Sequence, residues 1–192
     1  MVLVTVGHST CYGVSTLNEI TLANRVQRVK PSPTLSITAR VAELRAGGRD
    51  IIGLGAGEPD FDTPDHIKEA AIEAIRAGFT RYTAVDGTPE LKKAIIAKFR
   101  RDNGLDYAPD QILVSCGGKQ SFFNLCQALL NSGDEVIIPA PYWVSYPDMV
   151  RLADGEPVII RAGADSGFKI TPSQLGAAIT ARTRLVVINS PS

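Results

Sequence analysis

Four short runs, Ile112 to Ser115, Glu135 to Pro139, Pro157 to Arg161 and Leu185 to Asn189, alternate with stretches of helical periodicity, and three of the four are almost wholly apolar. That alternation constrains the fold more than any other feature. A strand that is apolar throughout has no face to offer to water, so it belongs in a parallel sheet covered by helices on both sides. The expected architecture is α/β. Ligands of such open sheets sit beyond the carboxyl ends of the strands, where Gly117, the segment Ala140 to Trp143, and Asn189 to Ser192 all emerge. Three loops are expected to converge on one site.

The intervening segments carry helix punctuation. From Thr34 to Ala46 the apolar positions Leu35, Ile37, Val41, Ala42 and Leu44 suit a helix ended by Gly47-Gly48, and Ile51 to Leu54 then reads as a strand. Thr-Pro pairs at Thr63-Pro64, Thr88-Pro89 and Thr171-Pro172 each place an N-cap before a proline at the first helical position. Helices are expected to follow all three.

The stretch Gln111 to Leu130 runs from a strand through Gly117 and Gly118 straight into an amphipathic helix. The first amides of that helix lack intrahelical acceptors and carry the positive end of the dipole, and Lys119 adds a full charge beside them. Such a junction can cradle an anion, while an ordinary tight turn with a solvated lysine satisfies the same pattern. A Walker A loop is excluded, because Leu113 stands five positions before Gly118 and Gln120 follows Lys119. The cluster Gly53-Leu54-Gly55-Ala56-Gly57-Glu58-Pro59 fails dinucleotide spacing, since Glu58 occupies the third glycine position.

Twenty basic residues balance twenty acidic ones, so no long-range field draws nucleic acid or an anionic membrane, and an anion site must be local. The cysteines Cys11, Cys116 and Cys126 are odd in number and form no CxxC pair, which fits reduced thiols in a cytoplasmic setting. With only His8 and His66 available, no metal site is expected. No apolar run approaches the roughly 18 residues that span a bilayer. Residues 1–21 contain no lysine or arginine and read as a poorly ordered extension, with a short edge strand at Val2 to Val6 as the alternative. The last apolar run is followed by only Ser190-Pro191-Ser192, which leaves a buried strand without a crossover and implies a truncated chain.

Four motifs carry a resemblance: Gly55 to Phe61 (GAGEPDF), Ser115 to Gln120 (SCGGKQ), Pro141 to Pro147 (PYWVSYP) and Asn189 to Ser192 (NSPS). In this order they resemble the class I/II pyridoxal-phosphate-dependent aminotransferases, nearest the bacterial aspartate-preferring branch, over about Leu22 to Ser192. The resemblance implies a fold-type-I transferase, with residues 22–65 forming an amino-terminal arm and part of the small domain. Residues 66–192 would then form the first half of the large, cofactor-binding domain.

For the site, the resemblance implies a cofactor-phosphate cradle at Gly117, Gly118 and Lys119, and Trp143 stacked on the pyridine ring. Tyr82 would reach across a homodimer to the partner's cofactor phosphate. Gly57 matches the backbone position that meets the substrate's α-carboxylate, while Lys119, Ser32 and Thr34 would approach the distal carboxylate of an acidic substrate. On the residues alone, Trp143 is equally a core residue, Gly57 to Asp60 a turn, and Tyr82 a packing residue.

The lysine that would form the Schiff base lies beyond Ser192 in the family, so none of the seven lysines from Lys30 to Lys169 is nominated as catalytic. The implied reaction of the parent is amino transfer between an amino acid, aspartate foremost, and a 2-oxo acid, with the isolated chain inactive. Rival readings are an aromatic or prephenate aminotransferase, another fold-type-I enzyme such as a carbon-sulfur lyase, a non-catalytic pyridoxal-phosphate-binding module, and a gene remnant.

Overall fold

The computed structural model describes residues 21–55 and 57–190. The expected extension, apart from its last residue, and the alternative strand at Val2 to Val6 lie outside the described residues, as do Ala56, Pro191 and Ser192. Helices form at Asn24–Gln27 (α1), Pro33–Ala46 (α2), Asp65–Arg76 (α3), Pro89–Asn103 (α4), Gly118–Leu129 (α5), Ser145–Leu152 (α6) and Pro172–Ala178 (α7). Strands form at Glu135–Ala140 (β1), Glu156–Arg161 (β2) and Thr183–Val186 (β3).

Local chemistry explains most helix starts. The Ser32 hydroxyl accepts from the Leu35 amide at 3.4 Å, and the Thr88 hydroxyl from the Leu91 amide at 3.3 Å. At α7 the capping is reciprocal: Thr171 accepts from the Gln174 amide, and Gln174 Oε1 accepts from the Thr171 amide at 2.8 Å. Thr63 departs from expectation. Pro64 is itself the cap residue of α3, with no side-chain cap bond, and Asp65 opens the helix. There the Asp65 carboxylate favours the positive helix end and pairs with Lys68 one turn on, at 2.7 Å.

The three strands form one parallel sheet in the order β2-β1-β3. On central β1, Val136, Ile137 and Ile138 are fully buried; Val136 and Ile138 belong to a core with Cys126 and Leu130 from the α5 end and Val150 from α6. Only β1 meets the expectation of strands covered on both faces, since β2 and β3 are partly exposed.

Two expected strands are absent. Residues 112–115 pair with no strand; instead the Val114 amide donates to the loop carbonyl of Asp86 at 3.1 Å. Residues 51–54 likewise find no ladder, and the Ile51 carbonyl accepts from the Arg45 guanidinium. Extended, β-branched sequence makes a strand only where a neighbour supplies the ladder. The expected strand at Leu185 to Asn189 is shifted towards the amino end, to Thr183–Val186, with one further ladder bond from the Val187 amide to the Ile137 carbonyl at 2.9 Å. No helix is expected at 145–152, yet α6 forms there, and Pro147 is tolerated because it falls in the first turn, where an N–H would have no intrahelical acceptor.

At the amino end of the sheet, Arg184 is the extra residue of a bulge, for Glu135 opposes Thr183 while Val136 opposes Leu185. Two buried acids gather partners around it. Asp134 accepts from the Asn131 amide at 2.8 Å and from Arg184 at 3.1 Å; Glu135 accepts from Thr180 at 2.6 Å and from Arg182. Both carboxyls are held below their usual range, Asp134 chiefly by the Asn131 amide and Glu135 chiefly by the Thr180 hydroxyl, with the arginines adding to each.

Candidate functional site

The carboxyl end of the sheet is built differently. Gly117 caps α5 with φ 85° and ψ 162°, a conformation L side chains avoid. A Cβ placed at Gly117 or Gly118 would meet nothing within 4 Å, so the approach to this helix start is open. The chain is folded back by Gln120, whose Oε1 accepts from the Cys116 amide at 2.6 Å. The amides that open α5 have no preceding turn to accept from them. Together they form an uncovered row of donors.

Opposite this row stands an aromatic group. The Lys119 ammonium lies 4.8 Å from the Trp143 ring centroid, and Trp143 packs edge-on against Tyr146 at 5.4 Å. Phe122, one turn into α5, also packs edge-on against Tyr146, at 5.0 Å. The Tyr146 hydroxyl donates to Asn189 Oδ1 at 3.0 Å, joining the first turn of α6 to the segment after β3. The three loops thus meet.

Gly118, Lys119, Phe122, Trp143, Tyr146 and Asn189 line a cleft of about 1160 Å³, whose far wall is the apolar stretch Leu185 to Ile188. Lys119 is the only charged residue among its described lining. A cleft with one cation, a row of backbone donors and an aromatic face suits a planar anion.

Of the residues expected at a site, Gly117, Gly118, Lys119 and Trp143 therefore sit together. Gly57, Tyr82, Ser32 and Thr34 do not line this cleft. Tyr82 is wholly exposed, no described residue other than a chain neighbour comes within 4 Å of where a Gly57 Cβ would be, the Ser32 hydroxyl caps α2, and the Thr34 carbonyl accepts from the Thr38 hydroxyl at 2.9 Å. Three contributors were not singled out from sequence: Gln120, Phe122 and Tyr146. Tyr146 lies in the first turn of α6, and Trp143 precedes that helix with its carbonyl accepting from the Tyr146 amide at 3.1 Å, a contact that no helical periodicity in the sequence signals.

Among the described residues no helix is long and apolar enough to cross a membrane, and no group of three or more His, Cys, Asp or Glu is placed to hold a metal ion.

Residues 49–192 match the family model described as aminotransferase class I and II. An aspartate/prephenate aminotransferase of Nitrosomonas europaea is 66% identical over 171 residues, covering 89% of this chain and 43% of that relative. An aspartate aminotransferase of Bacillus sp. is 56% identical over the same length, covering 89% of this chain and 44% of its own. Among solved structures, the aspartate aminotransferase of Rhizobium meliloti superposes with a TM-score of 0.87 at 55% identity, over 90% of this chain and 43% of that one. The Thermus thermophilus aspartate aminotransferase with maleate gives 0.86 at 50% identity, over 90% and 45%. The chain thus spans less than half the length of these relatives.

Proposed function

The chain belongs to the class I and II aminotransferases, with a fold-type-I architecture, and from that membership we propose that it contributes one part of a pyridoxal-phosphate site in a transaminase acting on acidic amino acids. The observation that carries this reading is the meeting of the open Gly117-Gly118 helix start, Lys119 and Trp143 in a single cleft.

The first amides of α5 and the Lys119 ammonium would hold the cofactor phosphate, because dianions favour oriented backbone donors backed by a dipole and a point charge. Trp143 would stack on the pyridine ring, and the Tyr146 and Phe122 rings packed behind it would keep its plane fixed. Pyridoxal phosphate, when bound, supplies an aldehyde to carry the amino group and a ring that takes up electrons. Tyr82, exposed and without a role in this chain's own cleft, would lend its phenol to the phosphate site of a second copy. Gly57 would meet the substrate α-carboxylate, and Lys119 with Ser32 and Thr34 the distal carboxylate. Residues 22–65 would form an arm and part of a small domain, with 66–192 the first half of the large one.

Aspartate with 2-oxoglutarate is the favoured substrate pair, supported by the names of the Bacillus and Rhizobium relatives and by the dicarboxylate maleate in the Thermus structure. The Nitrosomonas name supports a second acceptor, prephenate. The test is to express the full-length product of the reading frame that carries this chain and compare amino transfer from aspartate to 2-oxoglutarate and to prephenate. Turnover with neither, or no binding of pyridoxal phosphate, overturns the reading. The isolated 192-residue chain, which offers no lysine for the cofactor aldehyde in this cleft besides Lys119, is expected to turn over neither.

A further inference from the structure

Lys92 is a buried cation in an unfavourable place. It sits in the first turns of α4, where the helix dipole opposes positive charge, and its side chain is only 10% exposed. One partner offsets both costs: the Asp86 carboxylate, in direct contact with the Lys92 ammonium, and held below its usual range chiefly by that hydrogen bond. Asp86 belongs to the turn that follows Tyr82, outside the cleft described above.

The turn is fixed on a second side. The Val114 amide donates to the Asp86 carbonyl at 3.1 Å, and a Cβ at Gly87 would come within 2.5 Å of Val114 Cγ2, so the backbone at 87 lies directly against that side chain. Tyr82 stands four residues before Asp86, and Gly117 three residues after Val114. The contacts among Asp86, Gly87, Lys92 and Val114 therefore join the segment bearing Tyr82 to the segment entering the Gly117-Gly118-Lys119 cradle.

We infer that Asp86 and Lys92 are positioning residues, an ion-paired clamp that sets Tyr82 against the cradle segment of its own subunit. The inference rests on the reading of Tyr82 and the cradle as phosphate ligands. In a dimer in which Tyr82 serves the partner, each clamp indexes the phenol that a subunit lends to the cradle that it keeps. Loss of the clamp then weakens the grip on phosphate without touching any group that contacts it.

The test compares binding of pyridoxal 5'-phosphate and of pyridoxal, which lacks the phosphate, to the full-length product of the reading frame. Asp86→Asn leaves the buried Lys92 charge without its partner, so it is paired with Lys92→Met, which removes that charge, and with a urea-denaturation check on each. Asp86→Asn is expected to lower affinity for the phosphorylated form about tenfold while changing pyridoxal affinity by less than about twofold. Lys92→Met should behave alike and Lys92→Arg should retain wild-type preference. In a Tyr82→Phe background, Asp86→Asn should add little, as expected of residues acting through one another. An unchanged ratio of the two affinities in Asp86→Asn, an equal fall in both, or an additive effect with Tyr82→Phe overturns the clamp. A wild-type protein that does not prefer the phosphorylated form overturns the phosphate-site reading itself, and the clamp with it.

Discussion

The Lys119 ammonium rests 4.8 Å from the centroid of the Trp143 ring, on the aromatic group that the cofactor is proposed to need. A cation over a partly exposed indole gains only about 0.5–1 kcal/mol, whereas a charge-assisted bond to phosphate is stronger. Lys119 is therefore held over the indole by a contact weak enough to exchange for the proposed phosphate. Trp143 is the single tryptophan of the chain, so its emission reports on this cleft. Pyridoxal 5'-phosphate is expected to quench it, and Lys119→Met to raise the half-saturating concentration about tenfold. An unaltered titration would remove Lys119 from the site.

At Gly87 the backbone lies directly against the side chain of a distant segment. With φ 106° and Val114 Cγ2 within 2.5 Å of a Cβ, Gly87→Ala is expected to destabilise the protein by about 2–3 kcal/mol, combining strain at positive φ with overpacking. Urea denaturation of the variant measures this directly. A shift below about 0.5 kcal/mol would mean that Val114 yields freely.

The acids at the amino end of the sheet predict an acid limit to stability. Asp134 and Glu135 have folded-state values below those of the unfolded chain, about 3.9 and 4.3, so their contribution is complete above about pH 5. It is lost as the pH falls through the lower folded-state values. The urea midpoint should be flat from pH 7 to 5 and fall below pH 4, and Glu135→Gln should show a lower midpoint at pH 7 with a shallower acid decline. A midpoint that rises on acidification contradicts the assignment.

Two cysteines should differ sharply in reactivity. Cys116 is exposed beside the cradle, while Cys126 is fully buried in the core, and burial pushes its thiol up to about 11. Iodoacetamide at pH 8, followed by peptide mass mapping, should label position 116 first and position 126 only in denaturant. Bound pyridoxal phosphate should slow labelling at 116. Labelling of both at equal rates would place Cys126 outside a stable core.

Much of the fold was readable from residue order, and the failures share a cause. Helices capped by Thr88 and Thr171 were legible because their signals are local, a hydroxyl and the amides within one turn of it. The segments 51–54 and 112–115 look like strands on the same grounds, but pairing is a property of neighbours, and none of the described strands lies beside them. The site divides similarly. The glycine pair and Lys119 mark an open helix start that the sequence leaves as either an anion cradle or an ordinary turn, whereas Tyr146 and Phe122 join the cleft only when α5 and α6 pack together. The resemblance nominates Tyr82, which lies outside the cleft, while the Asp86–Lys92 contact in the turn that follows it joins residues without any motif of their own.

Because all three strands run parallel, every one enters the sheet at the same pole and leaves at the other. The paired charges of Asp134, Glu135, Arg182 and Arg184 occupy the entry pole, and the cradle and aromatic groups gather at the exit. The two ends are therefore free to change separately: a charge substitution at the entry pole touches no side chain that lines the cleft, and a change that widens or narrows the cleft leaves in place the ionic frame that joins β1 to β3.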